Sequence, residues 1–215
     1  MNLKHLGDAM DAWKGWLVHI ILPSLRDMKV VPMLTDAGKK WNHAKFRLYA
    51  QTLHLPTASI MLKTKKFTHT GRKKYFQGMP RMDKCTDVFL DPDTGVWKVK
   101  SDSKARKTKM EKGKKRDVSH RYVRTGEIAN LLPDKSDRVI LIYRQGRESM
   151  NDLCKNLKSY AQAIGNRCWA IGVRGGSVTV VLFSNSKPRL NRIRHLLLSV
   201  YGPVRADRVS PLLHK

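Results

Sequence analysis

Two apolar runs in this chain end in carboxylates. Pro32-Met33-Leu34 leads into Thr35-Asp36, and Val88-Phe89-Leu90 leads into Asp91-Pro92-Asp93. In an open α/β sheet, sites form beyond the carboxyl ends of the strands, near a point where the strand order reverses. If the two runs are neighbouring strands, Asp36, Asp91 and Asp93 converge at one edge. Carboxylates gathered there would ligate Mg2+, which takes oxygen ligands and bridges phosphates. Lys14 or Arg72 would stabilise phosphate charge. The candidate catalytic residues are then Asp91, Asp36 and Lys14, and the candidate metal ligands Asp36, Asp91 and Asp93. The competing reading is turn chemistry, because Asp-Pro-Asp-Thr-Gly suits a tight turn; it fits Asp93 best. Asp91 is the sharper candidate. Its strand is apolar from Val88 to Leu90, so its ionised carboxylate is costly unless a cation or donors meet it. Pro92 biases Asp91 toward an extended backbone. On this reading Asp91→Asn leaves folding and binding nearly intact and abolishes activity.

Other catalytic patterns are absent from the sequence. The eight histidines form no His-Glu-x-x-His pair, and there is no Gly-x-Ser-x-Gly or Walker loop. Three cysteines, Cys85, Cys154 and Cys168, lie in no close pair, which argues against a disulfide framework or a cysteine zinc site. Trp13, Trp16 and Trp169 read as core. Trp41 and Trp97 stand beside polar or basic residues, where they could stack on bases.

The charge points to a partner. Lys and Arg number 43 against 17 Asp and Glu, a net charge of +26 over 215 residues. Such an excess repels itself unless anions neutralise it, and nucleic acid is the polyanion whose counterion release drives binding. An anionic membrane is disfavoured. No run reaches the roughly 18 apolar residues of a span, and neither end carries a lipidation pattern. With no signal-peptide pattern either, the expected location is cytoplasmic. Lys98 to Arg116 is a basic arm too polar to bury itself, expected as a loop or poorly ordered insertion over 98–117. Its candidate phosphate contacts are Lys104, Arg106, Lys107, Lys109, Lys112, Lys114, Lys115 and Arg116. A second patch includes Lys63, Lys65, Lys66, Arg72, Lys73 and Lys74, with Thr70-Gly71-Arg72 as a candidate phosphate cradle at a helix start. A third comprises Arg189, Arg192 and Arg194. The choice between DNA and RNA stays open, because no base-reading module is visible.

The elements follow from periodicity. Leu6, Met10, Trp13, Leu17 and Ile20 predict a first helix, capped by Asp8 and closed near Pro23. A strand over Lys29 to Leu34 follows, then a helix capped by Asn42 with Phe46, Tyr49, Ala50 and Leu53 inward. Ser59 to Leu62 reads as a short strand, Gly71 to Phe76 as a short helix, and Asp87 to Leu90 as a strand covered on both faces. Beyond the arm come a helix near Thr125 to Leu132, a strand over Arg138 to Tyr143 and a helix over Asn151 to Ile164. A hairpin turning at Arg174-Gly175-Gly176 and a last helix over Leu190 to Tyr201 complete the chain. Strands alternating with helices predict a single α/β domain over 1–215. The expected form is a Rossmann-like three-layer sandwich, with a mainly parallel sheet, a C-terminal antiparallel hairpin and the basic arm inserted.

Asp87-Val-Phe-Leu-Asp-Pro-Asp-Thr-Gly95 resembles a motif of a group of largely uncharacterised bacterial and phage proteins. The resemblance extends to Gly7-Asp8, Asp11 and Lys14, Pro32 to Asp36, Gly71-Arg72 with Tyr75-Phe76, and Ile142-Tyr143 with Gln145. More distantly, Phe89-Leu90-Asp91-Pro92 is similar to the catalytic-strand motif of Rossmann-fold methyltransferases that modify nucleic acid. That similarity implies S-adenosylmethionine as cofactor and Asp91 as the residue orienting a target base. The methyltransferases carry a glycine-rich loop after their first strand; here the position reads Thr35-Asp36-Ala37-Gly38-Lys39-Lys40, with one glycine. Three functions stay open: a metal-dependent nuclease or other phosphodiester enzyme of phage or phage-defence type, a methyltransferase-like protein with a degenerate cofactor loop, and a non-catalytic nucleic-acid-binding component of a larger complex with other proteins. Whether the chain is an enzyme is not fixed by its sequence.

Overall fold

The first helix, α1 (Ala9–Ile21), is followed by a short 3-10 turn holding Pro23, then by β1 (Lys29–Val31) and α2 (His43–Thr52). This computed structural model describes residues 9–34, 42–61, 67–68, 70–77, 86–92, 95–98, 108–111, 114–134, 136–146, 148–165, 167–202 and 208–214. The chain continues through α3 (Arg72–Gln77), β2 (Val88–Leu90), β3 (Gly95–Trp97), β4 (Thr108–Glu111), β5 (Lys114–Asp117) and β6 (Tyr122–Arg124). It ends with α4 (Thr125–Leu131), β7 (Val139–Gln145), α5 (Met150–Ile164), β8 (Trp169–Gly175), β9 (Val178–Ser184) and α6 (Lys187–Tyr201).

The main sheet has five strands in the order β1-β2-β7-β9-β8. β1 pairs parallel to β2 with Val30 opposite Phe89, and β2 pairs parallel to β7 with Phe89 opposite Leu141. β9 runs antiparallel to both β7 and β8, so it alone opposes the common direction. The fold is mixed α/β, with a mainly parallel sheet plus antiparallel pairing. Alternation along each strand divides the core in two. Val30, Phe89, Leu141 and Ile171 pack with Leu17, Tyr49 and Ile193 from α1, α2 and α6. Val31, Leu90, Ile142 and Ala170 pack with Tyr75, Ile128, Leu153 and Leu157 from α3, α4 and α5. Helices therefore cover both faces.

Several expectations need correction. On α1 the buried side is Asp11, Lys14, Leu17, Val18 and Ile21, one residue round from the predicted stripe. Trp16, expected in the core, is 39% exposed. Hydrophobic periodicity placed the stripe wrongly because it counted Asp11 and Lys14 as outward, whereas they satisfy each other inside. Leu6 and Asp8 lie outside the described residues. Of the strand expected over Ser59 to Leu62, the described residues, 59–61, form a single bridge, Ile60 to Val30, and Leu62 lies outside the described residues. The hairpin turns at Gly176-Ser177, one residue later than expected, with Gly176 at φ 65°. The parallel pair of β3 and β6, with Val96 opposite Val123, went unpredicted. The basic arm, expected as a loop, contains an antiparallel ladder in which Lys109 faces Arg116 and Met110 faces Lys115. Asn42 caps α2 as expected, its side chain accepting from Lys45 N at 3.0 Å.

The approach of α1 to α2 depends on a glycine. A Cβ at Gly15 would lie 1.7 Å from the Thr52 carbonyl oxygen, a backbone atom that no rotamer change can move aside. We expect Gly15→Ala to cost at least the ~1–3 kcal/mol typical of overpacking, read as a lower urea midpoint.

Candidate functional site

Asp91 follows β2 directly, at the carboxyl edge of the parallel strands. Its backbone N–H donates to Val31 O at 3.0 Å, which extends the ladder by one residue and fixes the direction of the side chain. The carboxylate is only 1% exposed. Lys14 Nζ donates to both Asp91 oxygens at 3.1 Å, and to Asp11 Oδ1 at 2.9 Å. Tyr49 OH donates to Asp91 Oδ2 at 2.6 Å. The Lys14 ammonium also sits 3.9 Å from the centre of the Tyr143 ring, where the electron-rich face attracts a cation. One helix thus contributes Asp11 and Lys14 from adjacent turns, α2 contributes Tyr49, β2 places Asp91 and β7 places Tyr143.

The protonation states follow from this packing. Burial alone would depress the Lys14 ammonium, but the Asp91 and Asp11 carboxylates outweigh it and its pKa is raised. Burial and the Asp91 carboxylate push the Tyr49 phenol well above its ordinary value, so it remains a donor. A carboxylate offers about four acceptor positions. Lys14 takes one on each oxygen and Tyr49 a second on Oδ2, which among the described residues leaves one acceptor position on Oδ1. A fixed carboxylate with one remaining acceptor suits the orientation of a donor group.

The predicted acidic trio is not assembled on view. Asp36 and Asp93 lie outside the described residues. Among the described residues no group of three or more His, Cys, Asp or Glu is placed to hold a metal ion. At Asp91 the counter-cation is Lys14. Asp91→Asn, expected to leave folding nearly intact, would remove the charge from this ion pair.

The basic candidates divide. Arg72 is not a surface cation. It is 3% exposed and its Nε and Nη2 donate to the two Glu127 oxygens at 2.7 and 2.5 Å. Further donors reach Ser119 O at 2.9 Å and Tyr122 O at 2.8 Å. The expected cradle is likewise closed, because Gly71 N–H donates to Thr68 Oγ1. Arg189 makes a bidentate pair with Asp87, at 2.9 and 2.5 Å. Asp87 also accepts from Arg26 N and Val139 N, so it ties strand starts to α6 at the sheet edge opposite Asp91. Burial raises its pKa, while these donors act against that rise. Lys73, Lys74 and Arg192 are exposed. Lys109, Lys114, Lys115 and Arg116 lie on β4 and β5, while Lys104, Arg106, Lys107 and Lys112 lie outside the described residues. Trp97 lies beneath the Arg124 guanidinium, 5.5 Å from its ring centre, and Trp169 packs on His214 at 4.4 Å. Trp41 lies outside the described residues.

Sequence reasoning missed Tyr49, Asp11 and Tyr143 as members of the site. Tyr49 was legible as core, and a buried phenol needs a hydrogen-bond partner. The spacing of Asp11 and Lys14 on one helix was the other available signal.

No protein-family model matches the chain, and no curated protein matches it. Among solved structures the chain is similar to a Legionella pneumophila protein of the DUF519 family, at 12% identity and a TM-score of 0.39. That alignment covers 88% of this chain and 62% of the Legionella chain, so this chain spans less than two thirds of that neighbour's length.

Proposed function

We propose that the protein binds nucleic acid, held mainly through phosphates. The observation that carries this reading is where the charge resides. Among the described residues the buried acids Asp11, Asp87, Asp91 and Glu127 are matched inside by Lys14, Arg72 and Arg189. Among the described residues the interior holds about as many cations as anions, so buried pairing does not account for the excess of Lys and Arg in the chain. Lys73, Lys74, Arg192 and the arm over 98–117 are the proposed phosphate contacts. Affinity for DNA or RNA is expected to fall about a thousandfold or more between about 50 and 200 mM salt, if six or more phosphates are contacted. A flat salt dependence, measured by fluorescence anisotropy, would contradict the proposal.

A second reading is methyltransferase-like, within a Rossmann-like three-layer domain. It is favoured by Asp91-Pro92 at the carboxyl edge of β2, with one acceptor left on Asp91 Oδ1 to orient an amino donor of a base. Metal-dependent phosphodiester chemistry is the weaker extension, because Lys14 already supplies the cation at Asp91. Calorimetry separates the readings. Uptake of S-adenosylmethionine supports the methyltransferase-like one, uptake of Mg2+ or Mn2+ lost in Asp91→Asn supports the phosphodiester one, and uptake of neither leaves a binding protein.

A further inference from the structure

We infer that the groove between α1, the β8–β9 turn and α6 is a stacking subsite for an unpaired base of single-stranded nucleic acid, with neighbouring phosphates held by Arg174 and Arg208; the inference rests on the nucleic-acid reading above. The groove has a volume of about 340 Å³ and is lined by Trp13, Trp16, Tyr201, Arg174, Arg208 and the glycines of the β8–β9 turn. Trp13 and Trp16 are three residues apart on α1 and so share a face. Trp13 is set by Gly175, where an added Cβ would come within 2.1 Å of the indole. Trp16 meets the Tyr201 ring edge-on at 5.5 Å and is nevertheless 39% exposed.

The occupant follows from the two chemistries side by side. Aromatic faces open to solvent bind a flat ring, and base–aromatic stacking tolerates any sequence because every base has a π face. The side chains of Arg174 and Arg208 make no hydrogen bond or ion pair among the described residues, whereas the interior guanidiniums of Arg72, Arg138 and Arg189 are all engaged. A guanidinium without a carboxylate partner matches phosphate oxygens in a planar fork. Apolar ligands satisfy the rings alone and simple phosphates the arginines alone; a nucleotide satisfies both. In a duplex the base faces are stacked inside, so the base must be single-stranded or extruded. The position is consistent with the site already described. β8 runs in the same direction as β2, so Gly175 and Asp91 lie at the same edge of the sheet, and Trp13 is the immediate neighbour of Lys14.

The test compares a single strand of about ten nucleotides, the length one such groove can track, with a duplex of equal length. Affinities are measured at about 0.1 M salt for the full chain and for Trp16→Ala, Arg174→Ala and Arg208→Ala. Each variant is first checked for an unchanged melting temperature. Trp16→Ala is expected to weaken single-strand binding about fivefold or more, with duplex binding changed less than twofold, and each arginine variant to weaken the single strand and flatten its salt dependence. Should Trp16→Ala fail to fold, the arginine variants carry the test alone. Equal losses on both substrates, or unchanged single-strand binding in folded variants, would overturn the subsite and leave nucleic-acid binding standing. No binding of either substrate by the full chain would remove both. A dimer in sedimentation equilibrium that Trp16→Ala dissociates would make the groove a contact between copies and would also overturn the subsite.

Discussion

Asp91→Ala is expected to destabilise the protein by about 3–5 kcal/mol, the usual consequence of removing one partner from a buried ion pair. The loss arises from what remains. Lys14, 5% exposed, is left with the Asp11 carboxylate, and the fully buried Tyr49 hydroxyl loses the Asp91 carboxylate as acceptor. Asp91→Asn retains the shape and one carbonyl acceptor for Tyr49, so it should cost less, though not zero. A double-mutant cycle with Lys14→Met isolates the coupling. Replacing both charges should cost less than the sum of the single changes, because neither Lys14 nor Asp91 then faces the site of a missing partner, while the loss of Lys14 from Asp11 is common to Lys14→Met and the double variant. The pH dependence has a definite sign. Lys14 is raised above an ordinary lysine, so its contribution is fully present below the unfolded-state value of about 10.4 and is lost only as pH rises through the higher folded value. The stability difference between native protein and Lys14→Met should therefore be constant through neutral pH and shrink in strongly alkaline solution. If urea midpoints show Asp91→Ala to be neutral, the ion pair is not formed in solution.

Glu127→Ala is expected to have an effect of the same order, about 3–5 kcal/mol, and it separates two classes of arginine and lysine that sequence alone merges. Glu127 holds Arg72 Nε and Nη2 and also accepts from Arg124 N at 2.8 Å, closing the start of α4. Without it the Arg72 guanidinium is left 3% exposed with carbonyl acceptors alone. Arg72→Ala should likewise lower the melting temperature. By contrast, the pair Lys73→Ala and Lys74→Ala should leave stability within about 0.5 kcal/mol and reduce nucleic-acid affinity and its salt slope. The comparison fails if the surface pair unfolds the protein, or if Glu127→Ala leaves the melting temperature unchanged.

Much of the fold was legible because its elements state their own ends. Asn42 announces α2, uninterrupted apolar residues mark β2 and β7, and Leu153, Leu157 and Ala161 give the inward face of α5. The α1 face was not legible, since a buried lysine looks like a surface lysine until its partner is found 77 residues away. Arg72 and Arg189 were misassigned to the surface for the same reason. Charge in a sequence gives no indication of depth, and the partners Glu127 and Asp87 lie far along the chain. Of the site, Asp91 and Lys14 could be singled out from type and context, whereas their pairing required the tertiary structure.

The position of Asp87 bears on how the chain reaches its folded state. Its carboxylate lies in the first half, at the start of β2, while the Val139 amide and the Arg189 guanidinium that satisfy it come from the second. β1, β2 and β7 begin near residues 29, 88 and 139, so both parallel pairings of the main sheet close long loops before they gain any contact. Within the main sheet, β8 and β9 are the pair that can zip locally. An N-terminal fragment lacking α6 would bury an acid without its guanidinium, and a C-terminal fragment would expose the edge of β7 that β2 pairs with. The expected result is that removing α6, and with it Arg189, destabilises the pairing of β1, β2 and β7 as well as the C-terminal strands, read as a lower urea midpoint.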